Sequence, residues 1–127
     1  MIEQLTQDAI ATESDYSSAT QRLSDPKLVR LLHVGMTLVT ESAEFVDMLK
    51  KHIYYGKPLD MVNLKEELGD VSWGLRVGSD ALGETLLAIL ERNRDKLKAR
   101  YPDKFTEERA INRDVAAERK ILENECA

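Results

Sequence analysis

Glu41-Ser-Ala-Glu44-Phe-Val-Asp-Met-Leu-Lys-Lys-His-Ile-Tyr-Tyr55-Gly56-Lys57-Pro58-Leu-Asp60-Met61-Val-Asn-Leu-Lys-Glu-Glu67-Leu-Gly-Asp70 reads as helix, stop, helix, with two acids three residues apart on each helix. The stop is Tyr55-Gly56-Lys57-Pro58, because glycine suits a left-handed C-cap and proline cannot continue a helix. Asp60 restarts the chain as an N-cap. Upstream, Ser24-Asp25-Pro26 opens the first of the two helices. Asp25 is placed to cap it, and Pro26 fits the first helical position, where its missing N–H costs nothing. The spacing predicts one helix over 26–55 and another over about 61–82.

On a helical wheel at about 100° per residue, Leu31, Leu38, Phe45 and Leu49 define the apolar line of the first helix. Glu41 lies about 60° from that line, beside Val34 and Met48, and Glu44 about 120°. Leu64, Val71, Leu75 and Leu82 define the line of the second helix. Glu67 lies about 60° and Asp70 about 120° from it, on the same side as before. Glu66 projects to the far side. Each helix thus carries one acid inside its stripe and one at the rim. Two readings stand for such pairs: solvated surface acids, or carboxylates that converge when the helices pack. Convergence needs a cation, since a buried unpaired carboxylate is costly and four together repel. An all-oxygen set without Cys or His suits Mg²⁺ or Mn²⁺.

Outward from this pair the pattern stays helical. Ile2, Leu5, Ala9, Tyr16, Ala19 and Leu23 suggest an amphipathic helix over about 2–23. Gly83 separates the 61–82 helix from a fourth, over about 84–100. Tyr101-Pro102-Asp103-Lys104-Phe105 reads as a loop. Thr106, followed by Glu107 and Glu108, looks like the cap and acidic first turn of a last helix over about 106–123. Three prolines and six glycines leave long unbroken stretches, and Val, Ile and Thr form no alternating runs. The expectation is one all-α domain over 1–127. Its four-helix-bundle core spans about 26–101, with an N-terminal helix and a C-terminal helical arm.

The formal net charge is −5, which gives no basic field for nucleic acid and would repel a polyphosphate unless a metal or a local basic pocket intervened. The single cysteine, Cys126, cannot form an internal disulfide. No basic and apolar leader opens the chain, and no run reaches the ~20 apolar residues of a membrane span. These features predict a cytoplasmic protein without a membrane partner.

In the fourth helix Asn93 interrupts the stripe of Leu86, Leu90 and Leu97, with Lys96 and Arg100 on the same side. A buried Asn needs partners, and the two cations either snorkel or neutralise phosphate. Trp73 points away from the main stripe of its helix, toward Val62 and Val77, as an interface residue or a base-stacking platform. His33 and His52 do not complete a His-x-x-carboxylate spacing. Lys57 in the interhelical loop reads as solvated.

The ordered set Glu41-Ser-Ala-Glu44, 22 residues, Glu67-Leu-Gly-Asp70 resembles the ExxE…ExxD signature of the MazG-like all-α NTP pyrophosphatase superfamily. Glu66-Glu67-Leu68-Gly69-Asp70-Val71 is similar to its EELGD segment. Asn93-Arg-Asp-Lys96-Leu-Lys-Ala-Arg100-Tyr101-Pro102, with Phe105-Thr106 and Ile111-Asn112-Arg113-Asp114, is similar to the tail of its single-domain members. The resemblance covers roughly residues 30–114. It implies a helical homodimer or homotetramer that hydrolyses a (deoxy)nucleoside triphosphate to the monophosphate and pyrophosphate, with nucleotide-pool sanitation as its role. By the same resemblance Glu41, Glu44, Glu67 and Asp70 are the catalytic Mg²⁺ ligands (Mn²⁺ as substitute), and Asn93, Lys96, Arg100 and Tyr101 contact the nucleotide. Many members carry an acid immediately before the first glutamate. This chain has Thr40 there, which leaves the general base unassigned. The alternatives are a phosphoribosyl-nucleotide pyrophosphohydrolase and a non-catalytic helical dimerisation or adaptor module. A di-iron carboxylate bundle is disfavoured because it wants Glu-x-x-His pairs.

Overall fold

The computed structural model describes residues 1–123, and these are all-helical, with no strand among them. The helices are α1 (Ile2–Ala11), α2 (Ser17–Arg22), α3 (Pro26–Tyr55), α4 (Met61–Leu82), α5 (Leu86–Arg100), α6 (Glu107–Ile111) and α7 (Val115–Glu123). Cys126 lies outside the described residues.

Local capping chemistry sets the ends. The Asp25 carboxylate accepts from Lys27 N at 2.8 Å, with Pro26 in the first turn of α3. Asp60 accepts from Val62 N and Asn63 N, both at 3.1 Å. Thr85 and Thr106 hydroxyls accept from Ala88 N and Arg109 N. Gly56 and Gly83 close α3 and α4 with φ of 64° and 83°, a region open to glycine and strained for other residues.

Two helices expected to be continuous are broken. The 2–23 segment divides into α1 and α2 because Asp15 turns back onto the Ser17 backbone N–H (2.9 Å) and hydroxyl (2.7 Å). Neither half buries a residue that could hold it straight. The 106–123 arm divides into α6 and α7 at Asn112–Asp114, where Asp114 accepts from Ala117 N at 2.9 Å and starts α7. Short polar side chains compete with the helix for backbone groups in this way.

Helices α3 and α4 form an antiparallel hairpin and share the most extensive contact in the chain; α5 packs on α7 and, more lightly, on α4. Four contacts fix the hairpin register: Met48 with Asn63, Leu38 with Gly74, Val34 with Gly78, and Arg30 with Asp80. The paired numbers add to between 110 and 112 in every case. That register sets Glu44 across from Glu67 and Glu41 across from Asp70.

The packed face of α4 differs from the wheel line. Buried residues are Leu64, Glu67, Gly74, Gly78, Ser79 and Ala81, whereas Leu75 and Leu82 stay exposed. The seam is turned by about 60° toward the acids, and small residues are the reason. A Cβ added at Gly78 would stand 3.0 Å from Val34 Cγ1, and one at Gly74 would stand 3.1 Å from Leu38 Cδ2. The helices approach through these gaps, so the leucine line is not the line of contact. Only Val34, Leu64 and Ala81 are buried hydrophobics among the described residues. Leu28, Leu32, Val39, Val46 and Ile53 on α3, and Leu68, Leu75 and Leu82 on α4, recur mostly at seven-residue steps and are each more than 40% exposed.

Candidate metal centre

The hairpin register and the turned seam bring three of the four sequence-predicted acids together. Glu41, Glu67 and Asp70 each offer a carboxylate oxygen within 4.8 Å of the others. Burial falls off from the seam outward: Glu67 is 5% exposed, Glu41 is half-buried, and Glu44 and Asp70 are exposed. Glu44 lies outside the close triad, yet its charge acts on Glu67.

The carboxyl of Glu67 is pushed above its ordinary range, first by burial and then by the charge of Glu44; Glu41 adds to the rise. The Asn63 amide opposes it, donating to Glu67 Oε1 at 2.8 Å while also lying 2.9 Å from Met48 Sδ. Thr40 Oγ1 lies 3.1 Å from both Glu41 Oε1 and the Thr37 carbonyl oxygen. Asn63 was not singled out in the sequence, although it sits four residues before Glu67 on the same helical face, the spacing at which side chains meet.

No Lys or Arg among the described residues pairs with Glu41, Glu44, Glu67 or Asp70. Converging anions without a counter-cation are unfavourable unless they are protonated or hold a metal. The donor set fits a hard divalent cation. Oxygens on an octahedral Mg²⁺ stand about 3.0 Å apart when adjacent and about 4.2 Å apart when opposite, so the three carboxylates, now within 4.8 Å of one another, would draw closer around a bound ion. An open recess of about 230 Å³, lined by Phe45, Val46, Leu68 and Val71, abuts Glu67.

The other predicted site residues are dispersed. Asn93 is exposed, not buried in an apolar stripe, because Leu90 and Leu97 beside it are uncovered. It shares an open recess with Tyr101 and Phe105, whose rings lie 5.4 Å apart. Lys96 is half-buried outside that recess. Arg100 turns the other way and grips Glu118, Nε to Oε1 at 2.7 Å and Nη2 to Oε2 at 2.5 Å. No hydrogen bond or ion pair among the described residues joins these four to the carboxylates. Trp73 is 43% exposed, with its ring 6.1 Å edge-on from His33. His52 Nδ1 lies 2.8 Å from the Lys57 carbonyl oxygen, a loop contact remote from any ligand role. Among the described residues no helix is long and apolar enough to cross a membrane. No family model, curated protein or solved structure matches the chain.

Proposed function

We propose that this chain is a Mg²⁺-dependent nucleoside triphosphate pyrophosphohydrolase of the MazG-like all-α type. The observation that carries the reading is the meeting of Glu41, Glu67 and Asp70 within 4.8 Å across the α3–α4 seam, with Glu67 buried and no ion pair to a basic side chain among the described residues. Glu41, Glu67 and Asp70 would hold the metal, with Glu44 at the rim. When bound, Mg²⁺ would neutralise phosphate charge, polarise the phosphoryl group and lower the pKa of a ligated water.

The chain's own residues supply position. Asn63 fixes the orientation of Glu67, as outer hydrogen bonds do for metal-ligating carboxylates. The acids draw a metal-bearing polyanion to a chain that would repel the bare one. The reaction is attack of water on the α-phosphorus and cleavage of the α–β anhydride. It gives a nucleoside monophosphate and pyrophosphate, with most of the rate enhancement coming from positioning and electrostatics. Asn93, Lys96 and Tyr101 remain the proposed nucleotide contacts. Arg100 is less suited, since Glu118 occupies two of its donor groups.

The proposed working unit is a homodimer or homotetramer in which a second copy completes the four-helix bundle. The single chain exposes 10,280 Å², whereas a compact monomer of its 14.4 kDa exposes about 6,800 Å². That excess is about 3,400 Å² per chain, or about 6,900 Å² over a pair, which lies at the large end of obligate interfaces that bury 2,000 to more than 5,000 Å² over both partners. The leucine and valine lines at seven-residue steps are the surface to be covered.

Incubation with a panel of NTPs and dNTPs plus Mg²⁺ tests the activity. Pyrophosphate released together with a monophosphate is expected. Orthophosphate as the first product, or no metal-dependent turnover, would contradict it.

A further inference from the structure

A second cluster of like charges lies where the C-terminal arm returns to α5. Arg100, Arg109 and Arg113, with Asn112, line a cavity of about 160 Å³ between α5, α6 and α7, together with Ala99 and Ala117. Buried Glu118 answers two of the arginines. Arg100 binds it through Nε and Nη2, and Arg113 Nη2 lies 2.7 Å from the same Oε2.

The donors outnumber the acceptors. Each guanidinium has five N–H groups in a planar fork, and the carboxylate of Glu118 is shared by two of them. Asp114 is committed to the Ala117 backbone N–H. Arg109 is half-buried, and its guanidinium has no carboxylate partner among the described residues. Three positive groups therefore face two negative ones in one small cavity, inside a chain whose net charge is −5. One arginine suffices to neutralise Glu118. Asp114 offsets a second in charge, which leaves a net excess of one positive charge and unused guanidinium N–H donors that a compact oxyanion would balance, and forked guanidinia match such anions in geometry.

We propose that this α5–α6–α7 cavity binds a phosphate group through Arg109, Arg113 and Asn112, independently of the carboxylate centre. Its volume is below the roughly 300–1,000 Å³ of pockets that enclose whole small molecules, so it takes the phosphate group and excludes a base and sugar. A free anion such as orthophosphate or pyrophosphate and the phosphate end of a nucleotide share this chemistry.

The test is an NMR titration of the arginine Nε–Hε signals of the full chain, without divalent metal, using orthophosphate, pyrophosphate and a nucleoside monophosphate in turn. Saturable shifts at Arg109 and Arg113 are expected with at least one of them. A stronger response to orthophosphate identifies the free anion as the source, and a stronger response to the monophosphate identifies the nucleotide. Arg109→Gln should weaken binding at least about tenfold with the helical signal unchanged, and Arg109→Lys should weaken it less, because charge remains and only the fork is lost. Binding should persist in Glu67→Gln. Shifts that follow ionic strength without saturating, equal affinity in Arg109→Gln, or loss of binding in Glu67→Gln would overturn the proposal.

Discussion

The Asn63 amide donates to Glu67 Oε1 at 2.8 Å from one turn earlier on α4, and it holds this buried acid against Glu41 on the facing helix. Its position below the carboxylate makes it a support for the candidate metal centre. Asn63→Leu removes the donor while keeping a side chain of similar size. Divalent-metal affinity is expected to fall by about 10–100-fold, the usual effect of losing an outer hydrogen bond. Isothermal titration with Mn²⁺ checks it, and an unchanged affinity would remove Asn63 from the account.

Glu67→Gln keeps the shape and the amide hydrogen bond but deletes the charge. Turnover should fall at least about a thousandfold, while helical content by circular dichroism is retained. The metal-free variant should melt no lower than the native chain, since the substitution relieves repulsion from Glu44 and Glu41. Activity that survives would exclude Glu67 as a metal ligand.

The pH dependence separates the two buried glutamates. Glu67 has its folded pKa raised above the ordinary 4.5, so the folded state holds that proton more tightly than the unfolded chain. Its contribution makes metal-free stability fall as pH climbs from about 4.5 through the raised value. Added Mg²⁺ should reverse that fall at neutral pH. Glu118 is held down to about 2, first by hydrogen bonds from Arg100 and then from Arg113. The stability it lends is complete above about 4.5 and is lost as pH drops toward 2. Melting temperatures between pH 2 and 8 in chelator should show both slopes, with Glu67→Gln removing the upper one and Glu118→Gln the lower.

The seam makes a prediction in which two glycines differ. Gly78→Val drives a branched side chain into Val34, already 3.0 Å from an added Cβ. It should cost about 1–3 kcal/mol. Gly69→Ala meets nothing within 4 Å and should stabilise by up to about 1 kcal/mol through helix propensity. Chemical denaturation of both variants checks the pair, and equal effects would mean that the α3–α4 approach is not set by Gly78.

These glycines also mark where sequence reading stopped. The caps Asp25, Asp60 and Thr106 and the stops at Gly56 and Gly83 were legible because each acts within four residues of itself. The pairing of Glu41 with Asp70 across the hairpin was not, because it depends on a register that only packing fixes. The wheel weighed Leu75 and Leu82 by hydrophobicity, whereas the hairpin closed on Gly74, Gly78 and Ala81 by size, leaving the leucines uncovered. The burial that the apolar neighbours of Asn93 predict is absent because Leu90 and Leu97 are themselves uncovered in the single chain. The grip of Glu118 on Arg100, eighteen residues apart, depends on the break at Asn112–Asp114 that turns α7 back onto α5.

The exposed leucine and valine lines predict self-association. Val46→Glu combined with Leu75→Glu places charge on both lines. The native chain should elute with a mass of at least twice 14.4 kDa in light scattering, and the double variant should lose that association. A native monomer at micromolar concentration would contradict the proposed bundle.

Mn²⁺ binding followed by electron paramagnetic resonance reads directly, without reference to substrate, whether Glu41, Glu67 and Asp70 hold a metal. The native chain should bind Mn²⁺ saturably, Mg²⁺ should displace it, and Glu67→Gln should lose most of the bound ion. No saturable Mn²⁺ in the native chain, or the same binding in Glu67→Gln, would contradict the carboxylate centre.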